Sequence, residues 1–397
     1  MEIRSTTEQD LDLFVDTAHT AFGRFRDTPR DDGGTWFSAF EMDRGLLAVA
    51  EDGRAVGTAT AYSFELTLPG EVVVPAAGVS AVGVVPTHRR RGVLTALMRR
   101  QLADLRARGE FLSVLLSSEA TIYRRFGYGP ATYESRLTVA RHQAVFAVPR
   151  STDRIEVLRR DQCGDLLEEV YDRYRRARPG ALSRPARWWA LGAGQPPIAP
   201  TPRYIAVHRD ADGVVDGYAS YSIDSGTLAV DETIATTDAA TTALNRFVLG
   251  HDLVSKIVLK HLPPDHPLRW QLVDFRAAEV SDDTDWLWVR LLDVPRALTA
   301  RGWFADGDLV LDVDDPFLAE RGRYLLTVRD GKADCAPTDQ APDLSLDVSD
   351  LGSVYLGGTT PSTLVRAGRV RAHRSTAAAE ADALFRTDRP PHCLHWF

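Results

Sequence analysis

Cysteine, lysine and long apolar runs are all scarce in this 397-residue chain. Its three cysteines, Cys163, Cys335 and Cys393, lie far apart with no CxxC pair, which argues against a disulfide framework and a zinc ribbon and fits a reducing compartment. Lys256, Lys260 and Lys332 are the only lysines, so nearly all positive charge is arginine, a bias that with abundant alanine reflects GC-rich codon usage and carries no functional meaning. No apolar run approaches the ~18 residues of a membrane span, and the N-terminus shows no basic segment leading into an apolar one. A cytoplasmic protein without membrane association is expected. The formal charge of -8, from 47 basic and 55 acidic residues, disfavours a nucleic acid backbone or an anionic surface as the main partner. There is no G-x-S-x-G elbow and no Walker phosphate loop, which sets aside serine hydrolysis and P-loop chemistry.

What is present is a globular composition, 44% hydrophobic and 26% charged, in a chain long enough for two to three domains at roughly 150 residues each. The first stretch alternates helix and strand: an acidic amphipathic segment from Glu8 to Phe25, strands near Gly45–Ala50 and Ala55–Phe64, and a nearly all-apolar run, Val72–Val85. Such a run is expected of a strand buried on both faces. Beyond it, Leu94, Leu97, Met98, Gln101, Leu102 and Leu105 fall at helical spacing and Gly109 is a stop signal, before a further buried strand, Phe111–Ser118. Periodicity weakens around 143–153, where Pro149, Ser151 and Thr152 cluster, so a linker is expected there. A second domain follows in the order helix, strands, helix, strand, and a third, small α+β segment starts near the strand WLWVRLLDV at Trp286.

The sharpest local feature is the buried strand ending at Val85, then His88-Arg89-Arg90-Arg91-Gly92, then an amphipathic helix. Unpaired N–H groups at a helix N-terminus, a glycine permitting close approach and adjacent arginines make a site for a pyrophosphate; a solvated charge run before a surface helix is the plainer alternative. The stretch VGVVPTHRRRGVLTALMRRQLADL resembles the acetyl-CoA loop of the Gcn5-related N-acetyltransferase (GNAT) superfamily. Arg89 and Gly92 fit its Arg-x-x-Gly-x-Gly/Ala pattern, and Leu94 departs from it. Together with Ser117-Ser118-Glu119-Ala120-Thr121-Ile122-Tyr123-Arg124-Arg125-Phe126-Gly127-Tyr128-Gly129-Pro130, this segment is similar to one subfamily, the Eis (enhanced intracellular survival) acetyltransferases. The likeness extends to Leu351–Gly358, which is similar to the subfamily's sterol-carrier-like domain.

The resemblance implies an α/β fold with mixed sheets: a GNAT domain over 1–145 that binds acetyl-CoA, a second GNAT-like domain over 146–284 without a cofactor site, and a sterol-carrier-like domain over 285–397 whose C-terminal tail reaches the active site. A homo-hexamer is implied too. By the resemblance, backbone groups of Val82, Gly83 and Val84 pair with the pantetheine arm, Arg89, Arg90 and Gly92 hold the pyrophosphate with Val93 opening the helix, and Ser118 lies near the cofactor. The position of Tyr123 is that of the general acid which protonates the leaving sulfur; a phenol of ordinary pKa ~10 keeps its proton at neutral pH and suits that role. Tyr123 as a core aromatic, with Tyr128 as its neighbouring rival, is the plainer reading. The family's base is the chain's own terminal carboxylate, here that of Phe397, acting as base or as anchor for the acceptor ammonium. A frayed tail is the alternative, with His395 a rival base. Three metal-type side chains at His392, Cys393 and His395 without a distant fourth are not expected to bind a metal.

Phe22, Phe25 and Trp36 match aromatic positions of the acceptor pocket, and Asp27, Asp31 and Asp32 fall in an acidic loop. Family members that acetylate aminoglycosides carry acidic residues where this chain has Arg24 and Trp396. Both replacements remove negative charge, and Arg24 would repel a polyamine, which argues against aminoglycoside specificity. The leading expectation is an acetyl-CoA-dependent N-acetyltransferase acting on a primary amine of a small molecule or a lysine-bearing peptide. A carrier of lipid or another hydrophobic ligand, with the GNAT portion a scaffold, is the alternative from a different class.

Overall fold

The alternation of helix and strand in the first stretch of the chain becomes a mixed seven-stranded sheet in a computed structural model, which describes residues 1–23, 39–147, 154–190 and 203–397. The chain divides into two units, one of Met1–Ala131, Leu287–Asp388 and Trp396–Phe397, the other of Thr132–Trp286 and Arg389–His395. In the first unit, strands β1 (Glu2–Ser5), β2 (Leu46–Val49), β3 (Ala55–Leu68), β4 (Val72–Val84) and β5 (Leu112–Leu116) are neighbours in that order, and β6 (Gly129–Pro130) lies at the far edge. Helices α1 (Leu11–Ala21), α2 (Val93–Ala107) and α3 (Ala120–Tyr123) accompany them. The β4–β5 pair is parallel, so a crossover is required, and α2 supplies it. The apolar positions read at helical spacing become its buried face: Val93 and Leu97 cluster with Leu46, Val56 and Val85, while Met98, Leu102 and Leu105 pack on Ala77, Val79 and Leu115. Gly109 ends the segment in the left-handed region, at φ +79°.

The second unit repeats this plan. Strands β7 (Tyr133–Ala140), β8 (Arg154–Arg159), β9 (Tyr204–Arg209), β10 (Val215–Asp224), β11 (Thr227–Ala235), β12 (Lys256–Leu262) and β13 (Ala278–Asp285) form a sheet in the order β13-β7-β12-β11-β10-β9-β8. Its helices are α4 (Leu166–Arg176), α5 (Ala186–Ala190), α6 (Asp238–Leu249) and α7 (Leu268–Gln271). Again one pair, β11–β12, is parallel and a helix, α6, makes the crossover. The Thr237 hydroxyl caps α6 by accepting from Ala240 N–H at 3.1 Å.

The chain then returns to the first unit. Strand β14 (Leu287–Leu291) inserts between β5 and β6, and β15 (Gly307–Asp315), β16 (Glu320–Arg329), β17 (Lys332–Pro337), β18 (Leu344–Asp347) and β19 (Arg371–Ala372) make a third sheet, with helices α8 (Val294–Ala300), α9 (Val348–Tyr355), α10 (Pro361–Arg366) and α11 (Ala377–Phe385).

Two expected boundaries differ from this pairing. A first domain running to 145 would include β7, yet β7 is paired on both edges by strands of the second sheet, β12 and β13. The stretch read as a linker begins with an ordered contact, a bridge between Phe146 and Leu272; residues 148–153 lie outside the described ones. A third domain starting at 285 would include β14, which pairs instead with β5 and β6. All five residues of β14 are buried, a position that only the interior of a sheet covered on both faces provides.

Candidate active site

The site is built where β4 leaves β5. The two strands pair through Ala77–Ser113, Gly78–Val114 and Val79–Leu115, and no later residue of β4 pairs with β5. The cause is local. The β3–β4 register shifts between Thr58 and Thr60, placing an extra residue in β4 at Ala81, which takes φ +49°. A bulge of this kind bends the strand that carries it. The Thr58 hydroxyl fixes it by donating to the Ala81 carbonyl at 2.7 Å, and Gln101 of α2 donates to the Thr60 carbonyl at 2.8 Å. Gly83 and Val84 therefore keep β3 on one side, while the edge of Val82–Val84 that would face β5 has no ladder partner. Backbone polar groups left in this way at a partly buried position want a hydrogen-bonding partner.

At the mouth of this opening the chain turns through Pro86–His88 into α2. Arg90 takes φ +61° and Gly92, the N-cap of α2, φ +82°, a conformation that glycine adopts without penalty. The cap supplies no side-chain acceptor, so the first amides of α2, from Val93 onward, are unsatisfied by the helix itself. Arg90, Arg91 and Gly92 are exposed. Arg89 is committed within the protein: its Nε donates to the Val84 carbonyl at 3.2 Å and a terminal nitrogen donates to the Ala21 carbonyl at 2.7 Å, bracing the end of α1. Gly83 is required by the same approach, because a Cβ there would lie 2.7 Å from that of Ala21. At the end of β5, Ser118 is exposed. The Ser117 hydroxyl is buried without a hydrogen-bond partner among the described residues. Sequence reasoning passed over Ser117, and the serine pair carries no local sign of which hydroxyl turns inward.

Tyr123 ends α3, a single turn, and the following Arg124–Phe126 turn closes at Gly127 with φ +81°. It is buried and belongs to one core cluster with Ala61, Ala77, Val79 and Leu115, with its ring edge-on to Tyr128 at 6.3 Å. Burial, with the Glu119 charge as a smaller contribution, pushes the phenol up to about 12, so it holds its proton through the neutral range. No described residue hydrogen-bonds its hydroxyl. Tyr128, equally raised by burial, is bound at 2.7 Å to the Ser113 hydroxyl and is fully buried. The neighbouring tyrosines thus divide into one tied into the core and one whose hydroxyl is uncommitted.

Phe397 is buried against the opposite face of the same strands. Its ring meets Phe64 at 5.0 Å and Tyr62 at 6.3 Å, both edge-on, and a row of aromatics continues from Tyr62 to Phe40 and Phe14. Tyr62 is paired with Gly78, and Ala61 with Val79. Side chains alternate along a strand, so Tyr123 packs on the Ala61 and Val79 face while Phe397 packs on the Tyr62 and Gly78 face. A Cβ on Gly78 would lie 2.5 Å from Phe64 and 3.1 Å from Phe397, which explains the glycine. The two expected chemical residues therefore meet one short stretch of β4, Ala77–Val79, from its two sides, just where the β5 ladder stops.

Phe22 is exposed just after α1, and Trp396 is half exposed. Arg24, Phe25, Trp36, Asp27, Asp31 and Asp32 lie outside the described residues. In the second unit the tail is anchored by His392: its Nε2 donates to the His261 carbonyl at 2.8 Å, its Nδ1 accepts from the Tyr174 hydroxyl at 3.0 Å, and its own N–H donates to the Pro179 carbonyl at 2.8 Å. His395 packs edge-on to Trp188 at 4.8 Å. Burial holds both imidazoles well below the ordinary histidine value. Among the described residues no group of histidine, cysteine and carboxylate side chains could hold a metal ion. No described helix is long and apolar enough to cross a membrane.

Comparison with known proteins matches three family models: an acetyltransferase (GNAT) domain at residues 2–131, a second acetyltransferase (GNAT) domain at 180–291 and a sterol carrier protein domain at 294–394. The chain is 38% identical over 353 residues to the N-acetyltransferase Eis of Mycobacterium tuberculosis (strain H37Ra), covering 84% of each chain. It is 38% identical over 376 residues to an uncharacterized N-acetyltransferase of Streptomyces avermitilis, covering 91% of this chain and 90% of the relative. The crystal structure of Eis1 from Mycobacterium abscessus superposes with a TM-score of 0.87 at 35% identity, covering all of both chains.

Proposed function

This chain belongs to the Eis family of GNAT N-acetyltransferases, and from that premise we propose that its first domain moves an acetyl group from acetyl-CoA to a primary amine of a small molecule or a lysine-bearing peptide, at the opening between β4 and β5. The observation that carries this reading is the end of the β4–β5 ladder at Val79–Leu115, with an uncommitted phenol beside it and an uncapped helix start beyond it. The residues fit the cofactor. The unladdered edge of Val82, Gly83 and Val84 and the orphaned Ser117 hydroxyl supply hydrogen-bonding groups for an amide-bearing arm, with Ser118 alongside. The amides opening α2 at Gly92 and Val93, with Arg90, supply the pyrophosphate site, and Arg89 holds the turn in shape from beneath.

Acetyl-CoA brings an activated thioester. Tyr123 donates its phenolic proton to the departing sulfur as the carbon–sulfur bond breaks, and its raised pKa keeps that proton available. The Phe397 carboxylate, on the other face of β4, accepts the acceptor's proton or fixes its ammonium. Holding amine and thioester on either side of one narrow opening replaces a chance encounter with an oriented one, an effect worth several kcal/mol. The acceptor enters by the aromatic face of Tyr62, Phe64 and Phe397, and by the resemblance alone Phe22, Phe25 and Trp36 are further pocket aromatics. Arg24 and Trp396 weaken affinity for polycations. The transferase reading is favoured over a lipid carrier by the family and by the residues gathered at β4. A homo-hexamer follows from the resemblance alone, which light scattering on the purified protein tests, and cytoplasmic residence rests on the scarcity of cysteine and of apolar runs.

The experiment is thiol release from acetyl-CoA, by protein with an unmodified C-terminus, across aminoglycosides, polyamines, arylalkylamines and lysine peptides. Release dependent on one amine class is the expected result, with aminoglycosides weak. Failure to bind acetyl-CoA would refute the proposal.

A further inference from the structure

The turn that carries Tyr123 is clasped by the third sheet and its helix, all within the first unit. Every residue of α9 (Val348–Tyr355) is buried. Its Asp350, 1% exposed, takes an ion pair from Arg124, the residue after Tyr123, and a second from Arg369, whose Nε lies 2.8 Å away. Two residues further on, the Phe126 carbonyl accepts from Arg290 of β14; that guanidinium is fully buried and also pairs with Asp315 at 2.5 Å. The Phe126 ring meets Phe317 edge-on at 4.9 Å. The glycines of the turn are the docking points: a Cβ at Gly127 would collide with Arg290, one at Gly129 with the Ser349 carbonyl, and one at Gly352 with the Val289 carbonyl. The Phe-Gly-Tyr-Gly stretch is thus shaped to receive α9.

We infer that Asp350 is a positioning residue for Tyr123, acting through Arg124, so that the third domain is part of the acetyl-transfer machinery. This rests on the reading of Tyr123 as the acid. An exposed ion pair would hold nothing in place, because solvent and side-chain entropy offset most of its Coulomb energy. Here the carboxylate is buried and cannot relocate, so it fixes the guanidinium, and with it the first residue after the phenol. A shift of about 1 Å in a reacting group costs up to about 10²-fold in rate.

The comparison is between Arg124→Gln and Arg369→Gln, which remove the two partners of one carboxylate from side chains that are 31% and 38% exposed, so both variants are expected to fold. Arg124→Gln lowers kcat about tenfold or more with the KM for acetyl-CoA within about twofold, Arg124→Lys recovers part of the loss, and Arg369→Gln leaves kcat within about twofold. Asp350→Asn, where it folds, matches Arg124→Gln. A readout independent of turnover is 19F NMR of protein labelled with 3-fluorotyrosine. The resonance lost in Tyr123→Phe identifies Tyr123, and Arg124→Gln shifts or broadens it while Arg369→Gln does not. Equal losses in the two arginine variants, or an unmoved resonance in Arg124→Gln, overturn the inference. Full turnover in Tyr123→Phe would instead overturn the reading of the acid, and the resonance would still report whether Asp350 positions the ring.

Discussion

Gly78 stands between the two faces of the site, and replacing it by alanine perturbs only one of them. The added Cβ would lie 2.5 Å from two carbons of the Phe64 ring and 3.1 Å from the Phe397 ring. Carbon atoms in contact prefer ~3.5 Å or more, so Phe64 must retreat by about 1 Å and Phe397 by about half that. Both rings are buried, Phe64 at 3% and Phe397 at 6% exposure, so the shift must be taken up inside the packing. Overpacking of this kind costs about 1–3 kcal/mol of stability. A displacement of about 0.5 Å in the terminal residue is expected to lower kcat by about tenfold. Tyr123 packs on the other face, so acetyl-CoA affinity should stay within about twofold. Steady-state kinetics with the acceptor found in the panel, isothermal titration with acetyl-CoA and thermal melts together check these three quantities. Gly78→Ala with Phe64→Leu removes the ring carbons that clash and should recover much of the rate. A Gly78→Ala protein that melts lower yet turns over at the wild-type rate would show that the place of Phe397 does not matter, and its carboxylate would leave the mechanism.

Three further outcomes are expected. Tyr123→Phe should lower kcat by about 10²-fold or more while acetyl-CoA binding by calorimetry is unchanged, since the phenol acts on the leaving group alone. Extending the chain by a few residues beyond Phe397 should abolish most transfer by removing the terminal carboxylate from the aromatic face; kinetics on tagged and tag-cleaved protein decide this, and equal rates would refute it. Stability should fall with pH from the neutral range downward. His392 and His395 sit well below the ordinary value in the folded chain, so protons bind the unfolded state first, their contribution is complete above ~6.5, and each withdraws about 1.4 kcal/mol per pH unit below that. Thermal melts of wild type and His392→Gln between pH 7.5 and 5, both numbers chosen to bracket ~6.5, should show a shallower slope in the variant.

Local pattern carried much of the fold. Leu97, Met98, Leu102 and Leu105 mark a helix face whatever surrounds them, and the apolar run at Val72–Val84 is a strand as expected, although only Val74 and Ala76–Val79 are buried and the rest of it is partly or fully open. Strand membership was not legible in the same way. Tyr133–Ala140 follows directly on the first sheet in sequence and pairs in the second, while Leu287–Leu291 follows the second and pairs in the first. Nothing in either strand's own residues encodes its neighbour, because pairing is settled by which sheet has a complementary edge and a covering layer. The chain passes between the two units at 131–132 and 286–287; Gly127, Gly129 and Pro130 precede the first of these, and no proline or glycine stands near the second.

The site divides along the same line. Arg-x-x-Gly before a helix announces itself because the physics is local: a turn, a left-handed glycine and uncapped amides. The resemblance puts Arg89 on the pyrophosphate, whereas its hydrogen bonds run to the carbonyls of Val84 and Ala21, on different elements, which no local pattern reveals. Tyr123 and Tyr128 are alike as residues. They are told apart by Ser113, which occupies one hydroxyl and leaves the other uncommitted. The missing Cβ atoms of the glycines at 127 and 129 are what let Arg290 and Ser349 approach from more than 150 residues away in sequence. A stretch shaped by something distant packing against it is recognisable by resemblance before it is explicable, and the explanation here is Arg290 together with the helix carrying Asp350.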